Sequence, residues 1–128
     1  MIVDPQNDFI SGSLAVEGAD EKMLKLSKYV KDKGNKYDAI YVTMDSHPEN
    51  HCSFKENGGI WPKHCVNNTE GWDIHFPLKN ILEIYEHVEF FNKGEDSNKE
   101  EYSIFSNDCD GKRLTNLINN FCKNNDDI

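Results

Sequence analysis

Apolar residues along this chain fall into short runs and helical stripes, and three of the runs stop at a charged residue. Met1-Ile2-Val3 ends at Asp4, Ala39 to Thr43 ends just before Asp45, and His87 to Phe91 runs out at Lys93-Gly94. Short apolar, β-branched and aromatic runs bounded by turn residues predict buried parallel strands. Between the first two runs, Met23, Leu24, Leu26 and Val30 form a stripe that predicts a helix over 20–33, with Asp20 as its cap and Gly34 as its stop. Residues 77–85 predict a short helix. Residues 111–121 predict a longer one, with Leu114, Leu117, Ile118 and Phe121 at i, i+3, i+4 and i+7. Pro5 to Ser13, carrying Gln6, Asp8 and Phe9, reads as a loop, and residues 123–128 read as a polar tail. Strand, helix and strand within about 45 residues make a right-handed crossover with parallel strands. The expected fold is therefore α/β, a three-layer α/β/α arrangement around a parallel sheet.

In open sheets of this kind, ligands bind at the carboxyl ends of the strands. Asp4, Asp45 and Lys93 would share that rim, although each taken singly is an ordinary strand-end or surface residue. At 128 residues the chain is one domain with room for a core. A net charge of -9 argues against nucleic acid, whose phosphates require basic partners. No apolar run approaches the ~20 residues that span a bilayer. The opening residues show no basic region leading into an apolar one, so a cytoplasmic protein with reduced thiols is expected from its four cysteines.

The densest chemistry lies between Thr43 and Cys65. Asp45 and His47 are two apart, so both can converge on one point from a turning chain end, and His64 returns at the end of a Gly-Gly loop. Three of the five histidines fall between residues 47 and 64. One carboxylate and two imidazoles suit a borderline divalent ion, zinc ahead of iron or manganese, and three protein ligands leave the coordination sphere open for catalysis. A structural zinc site of His51, Cys52, His64 and Cys65 is the weaker reading. Its ligands are adjacent in pairs, and neighbours in an extended chain point to opposite sides.

The blocks DPQNDF (4–9), TMDSHPENHCSF (43–54), WPKHCV (61–66), KG (93–94) and YSIF (102–105) resemble, in order, those of the nicotinamidases among the isochorismatase-like cysteine hydrolases. The resemblance runs from residue 1 to about 121, and it implies the fold of that family. It also implies hydrolysis of nicotinamide to nicotinate and ammonia through a cysteine thioester, a step of NAD salvage and pyridine nucleotide biosynthesis. Asp4 would be the general base and Lys93 the charge that holds thiolate and oxyanion. Asp45, His47 and His64 would hold the metal, with His51 as a fourth ligand or a neighbour supporting the others. The ion would hold the pyridine nitrogen, Phe9 and Trp61 would sandwich the ring, and Tyr102 would close the pocket.

The family's nucleophilic cysteine follows a later strand, in a G-x-x-x-D-x-C-V context that this sequence lacks. Cys52 and Cys65 sit in the metal loop, Cys109 in a polar turn and Cys122 at a helix end. The expectation is a domain of the family cut short at its C-terminus and inactive by itself, with an uncovered apolar edge that a homo-oligomer could cover.

Overall fold

The structure, a computed structural model, describes residues 1–124. Residues 125–128 of the polar tail lie outside the described part. Three strands, β1 (Ile2–Val3), β2 (Ile40–Asp45) and β3 (Val88–Lys93), form a parallel sheet in the order β1-β2-β3. The helices are α1 (Asn7–Ile10), α2 (Ala19–Lys33), α3 (Leu78–Leu82) and α4 (Asp110–Asn124).

Alternation along β2 divides the core in two. Ile40, Val42 and Met44 pack with Met23 and Val30 of α2, Leu78 and Leu82 of α3, and Ile74. On the opposite face Tyr41 meets Phe91 edge-to-face at 5.4 Å, and Phe91 packs with Ile104 and with Leu114 of α4. The Arg113 guanidinium lies 4.0 Å over the Phe91 ring. Each face of the sheet is thus covered by helix, as a parallel sheet requires. No described helix is long and apolar enough to cross a membrane.

Several boundaries move from those expected. Both longer strands run on to the charged residues themselves, because ladder hydrogen bonds belong to the backbone and do not stop where side chains turn polar. In consequence Asp45 and Lys93 are the last register pair of the β2–β3 ladder. One helical turn, α1, replaces part of the expected loop, and the helix at 77–85 shortens to α3. The cap of α2 is Gly18, at φ 76°, and not Asp20, whose carboxylate instead accepts from the Glu21 N–H inside the first turn. Leu24 faces solvent, and Ser27 takes the buried position, its hydroxyl returned to the Met23 carbonyl. Gly34 is helical rather than left-handed; a β-carbon there would meet the Tyr85 ring at 2.6 Å.

Candidate functional site

The carboxyl rim of the sheet carries the chemistry. Lys93 Nζ is 2.6 Å from Asp45 Oδ1 and 2.7 Å from Asp4 Oδ2, and the side chain is only 2% exposed. Asp4 follows β1 in the left-handed region, φ 48°, where non-glycine residues are strained. It is held there by Thr43, whose carbonyl accepts from the Asp4 N–H at 3.0 Å and whose hydroxyl donates to Asp4 Oδ1 at 2.7 Å. Burial works against the Lys93 ammonium, but the two carboxylates raise its pKa above the usual lysine value. For Asp45 burial acts upward. Hydrogen bonding to His47 and His64 and the charge of Lys93 outweigh it and hold the carboxyl well below the usual range.

Beyond β2 the chain turns so that His47 N–H donates to the Cys65 carbonyl and Asn67 N–H to that of His47, which lays His64 and Cys65 beside the rim. His47 Nδ1 is 2.8 Å from the Gly94 carbonyl, and His64 Nδ1 is 2.8 Å from that of Pro62. A carbonyl can only accept, so each Nδ1 carries a proton and each Nε2 is the nitrogen turned toward Asp45. Those two nitrogens face the same carboxylate oxygen. Asp45 Oδ2 is 3.5 Å from His47 Nε2 and 3.7 Å from His64 Nε2. His47 Nε2 is buried without a hydrogen-bond partner among the described residues. The cluster can be balanced by protons on Nε2, which lower Asp45 as above, or by a divalent ion to which the neutral rings present Nε2 lone pairs. Zinc at 2.0–2.2 Å from tetrahedral ligands places those ligands about 3.3 Å apart, close to the spacing seen. Asp45, His47 and His64 therefore fit a divalent ion, with their ligand atoms within 4.8 Å of one another.

A cleft of about 220 Å³ opens over this rim, lined by Asp4, Phe9, Asp45, Trp61, His64, Lys93 and Tyr102, with Leu14, Glu100 and Glu101. Phe9 lies at a tilt to the His64 ring, 5.7 Å between centroids, and Trp61 Nε1 donates to the Tyr102 hydroxyl at 3.2 Å. The volume suits one small aromatic molecule. A larger, more open groove of about 600 Å³ between Asn7 and Lys79 holds none of the rim residues and carries no comparable chemistry.

No protein-family model matches the chain. The nicotinamidase of Saccharomyces cerevisiae is 31% identical over 131 residues, covering 82% of this chain and 60% of the enzyme. The pyrazinamidase of Pyrococcus horikoshii, solved in complex with zinc, superposes with a TM-score of 0.69 at 38% identity, covering 79% of this chain and 54% of that one. The yeast nicotinamidase bound to the inhibitor nicotinaldehyde gives 0.71 at 31% identity, with 79% and 58% covered. The chain is a relative of the nicotinamidases. It spans between 53% and 60% of the length of the curated nicotinamidases that it matches.

Eight of the nine residues singled out in the sequence line this one cleft or its metal cluster. His51 is the exception. Its Nδ1 accepts from Ser53 N–H at 3.2 Å and bonds the Ser53 hydroxyl at 2.7 Å, and its Nε2 donates to the Lys99 carbonyl at 2.9 Å. Burial, then the neighbouring His47, lower its pKa and keep the ring neutral. With both nitrogens hydrogen-bonded it stands outside the cluster of Asp45, His47 and His64, beside it, where a fourth ligand or a supporting neighbour was expected. The four-residue zinc site with Cys52 and Cys65 does not assemble among the described residues either.

None of the four cysteines lines the cleft. Burial, with the negative charges of Asp45, Asp8 and Asp4, pushes the Cys65 thiol far above its ordinary range, so it stays protonated. Cys109 and Cys122 are exposed, the latter on α4.

Three residues with no assigned role in the sequence reading turn out to hold the site. Gln6 is fully buried and clamps Asp45 from both sides, accepting from its N–H at 2.8 Å and donating to its carbonyl at 2.7 Å. Asp8 accepts from the Cys65 N–H at 2.8 Å, next to His64. Glu101 accepts from the Gly94 N–H and from Asn107, both at 2.9 Å. Gln6 and Asp8 sit in a block already notable for its resemblance to nicotinamidases. Glu101 lies in a run of polar residues where nothing separates it from its solvated neighbours.

Proposed function

We propose that this chain carries the metal-binding and acid–base part of a nicotinamidase-type site, acting on nicotinamide as a small pyridine carboxamide. The observation that carries the reading is the convergence of the His47 and His64 Nε2 atoms on the Asp45 carboxylate, beside the Asp4–Lys93 pair. Asp45, His47 and His64 hold a divalent ion, zinc by the choice of nitrogen and oxygen donors. When bound, the ion supplies a Lewis-acid anchor for a heteroaromatic nitrogen. Phe9 and Trp61 contribute the ring-binding walls, and Tyr102 closes the open side through its bond to Trp61.

At the other end of the cleft Asp4 serves as the proton acceptor for an attacking thiol and returns that proton to the leaving ammonia. Lys93, kept cationic by two carboxylates, holds negative charge on sulfur and on the developing oxyanion. Thioester chemistry needs a thiolate within reach of this pair, and no cysteine of the sequence lines the cleft. The 128 residues by themselves therefore bind metal and ligand without turnover.

Calorimetry with zinc, then with nicotinate on the zinc-loaded chain, tests the binding half; ammonia release from nicotinamide tests the chemistry. Saturable one-to-one zinc binding, nicotinate binding that depends on it, and no ammonia are expected. Failure to bind zinc would remove the reading. Turnover would overturn the argument about the thiol, and replacement of each cysteine by serine would then find it.

A further inference from the structure

We propose that His51 is a positioning residue that locks the metal ligand His47 and the Lys99–Tyr102 wall of the cleft into one unit. The inference rests on the metal site proposed above and deepens it.

His51 is fully buried, and its ring lies over that of His47 with centroids 3.9 Å apart and planes 30° from parallel. Because Ser53 N–H donates to Nδ1, the proton of His51 is on Nε2, where it meets the Lys99 carbonyl. His47 has the opposite tautomer, with Nδ1–H on the Gly94 carbonyl. Gly94 N–H in turn bonds Glu101, and Glu101 Oε1 is 3.3 Å from Lys99 Nζ. The contacts close a circuit: His47, Gly94, Glu101, Lys99, His51 and back to His47. A second tie between the same segments runs from Cys52 N–H to the Ser97 carbonyl at 2.8 Å.

The stretch 95–100 has no helix or strand of its own, so its place against the metal loop is set by such ties. It leads directly into Glu100, Glu101 and Tyr102 of the cleft wall. His51 thus reaches the metal through His47 and the bound ring through Lys99, touching neither. Partners that orient a ligand in this way commonly account for about 10–100-fold in metal affinity.

Nitrogen-15 NMR of the full chain before and after zinc reads the ring tautomers directly. His47 and His64 should be Nδ1–H and shift at Nε2 on zinc addition, while His51 should remain Nε2–H with both nitrogens little changed. Cobalt(II) absorption should keep its band shape in His51→Gln, whose amide can still donate to the Lys99 carbonyl. His51→Ala should weaken metal binding about tenfold or more, with His51→Gln recovering part of that loss, and should weaken nicotinate binding at saturating metal. A zinc-induced shift at a His51 nitrogen, or a changed cobalt spectrum in His51→Gln, would make it a ligand and overturn the proposal. Unchanged metal and nicotinate affinities in His51→Ala would overturn it as well. If His51→Ala does not fold, the NMR and glutamine results decide. If the wild-type chain binds no metal, the underlying site reading fails first, seen as unshifted His47 and His64 nitrogens, and this inference falls with it.

Discussion

Asp45 and Lys93 close the β2–β3 ladder as its final register pair, and their side chains meet at 2.6 Å. Parallel strands bring the ammonium to the carboxylate without any loop having to fold correctly, and Asp4 arrives at the same ammonium from the next strand. Removing Lys93 therefore strands two carboxylates in a buried setting. Lys93→Met should cost about 3–5 kcal/mol in urea unfolding, and adding Asp4→Asn should recover part of that loss. The sign of the pH dependence follows from the two shifts. Lys93 is raised, so its contribution is complete below the unfolded lysine value and lost only as pH climbs through a higher one. Asp45 is lowered, so its contribution is complete above the unfolded aspartate value and lost only as pH falls through a lower one. The gap between wild type and Lys93→Met should stay flat from about pH 5 to 9.

Gly94 is required twice over. Its φ is 75°, and a β-carbon would stand 2.5 Å from His47 Cε1 and 2.7 Å from Nδ1. Gly94→Ala should destabilise the fold by about 1–3 kcal/mol and loosen zinc by about tenfold or more, since the ring it would displace belongs to the proposed metal cluster. Isothermal titration beside thermal unfolding separates the two effects.

Glu101 should dominate an acid-sensitive part of the same loop. Burial raises its pKa, but hydrogen bonds from Asn107 and the Gly94 N–H, with Lys99, lower it further than burial raises it. Glu101→Gln should be about 1–2 kcal/mol less stable than wild type at pH 7. Because the folded value lies below the unfolded one, the difference should persist above about pH 4.3 and shrink as pH falls through the folded value. Paired denaturation curves from pH 7 to 3 test this.

Metal should stabilise the protein without being needed to fold it. Neither apolar cluster includes Asp45, His47 or His64. Zinc at 100 times its dissociation constant should add about 2.7 kcal/mol, and chelator should lower the melting temperature while leaving far-UV circular dichroism at room temperature unchanged. Unfolding by chelator would identify a structural zinc protein instead.

The layers of the fold were legible because they rest on apolar periodicity: Val42, Phe91, Leu78 and Leu114 sit where the pattern puts them. The candidate metal cluster was legible because Asp45, His47 and His64 are chemically distinctive and close in sequence. His51 met the same criteria and lies outside the cluster, because what distinguishes it is which partners its two nitrogens find, and Lys99 is far along the chain. Gln6 and Glu101 escaped for a related reason. A buried amide that clamps a strand backbone, or a carboxylate that caps a loop, is ordinary in composition and identifiable only by its partners.

The shortness of β1 has a kinetic consequence. Two residues anchor Asp4 to the sheet, along a strand whose Val3 is 61% exposed, whereas Asp45 and Lys93 belong to a six-residue ladder. Elements with few ladder bonds and little buried surface open at a lower free energy than the body of a domain. The amides of Ile2 to Asp4 should therefore exchange with deuterium well ahead of those from Val42 to Asp45. Opening of β1 would carry Asp4, the proposed proton acceptor, away from Lys93 while Asp45 and the proposed metal cluster keep their places, so the two halves of the site should have separate lifetimes.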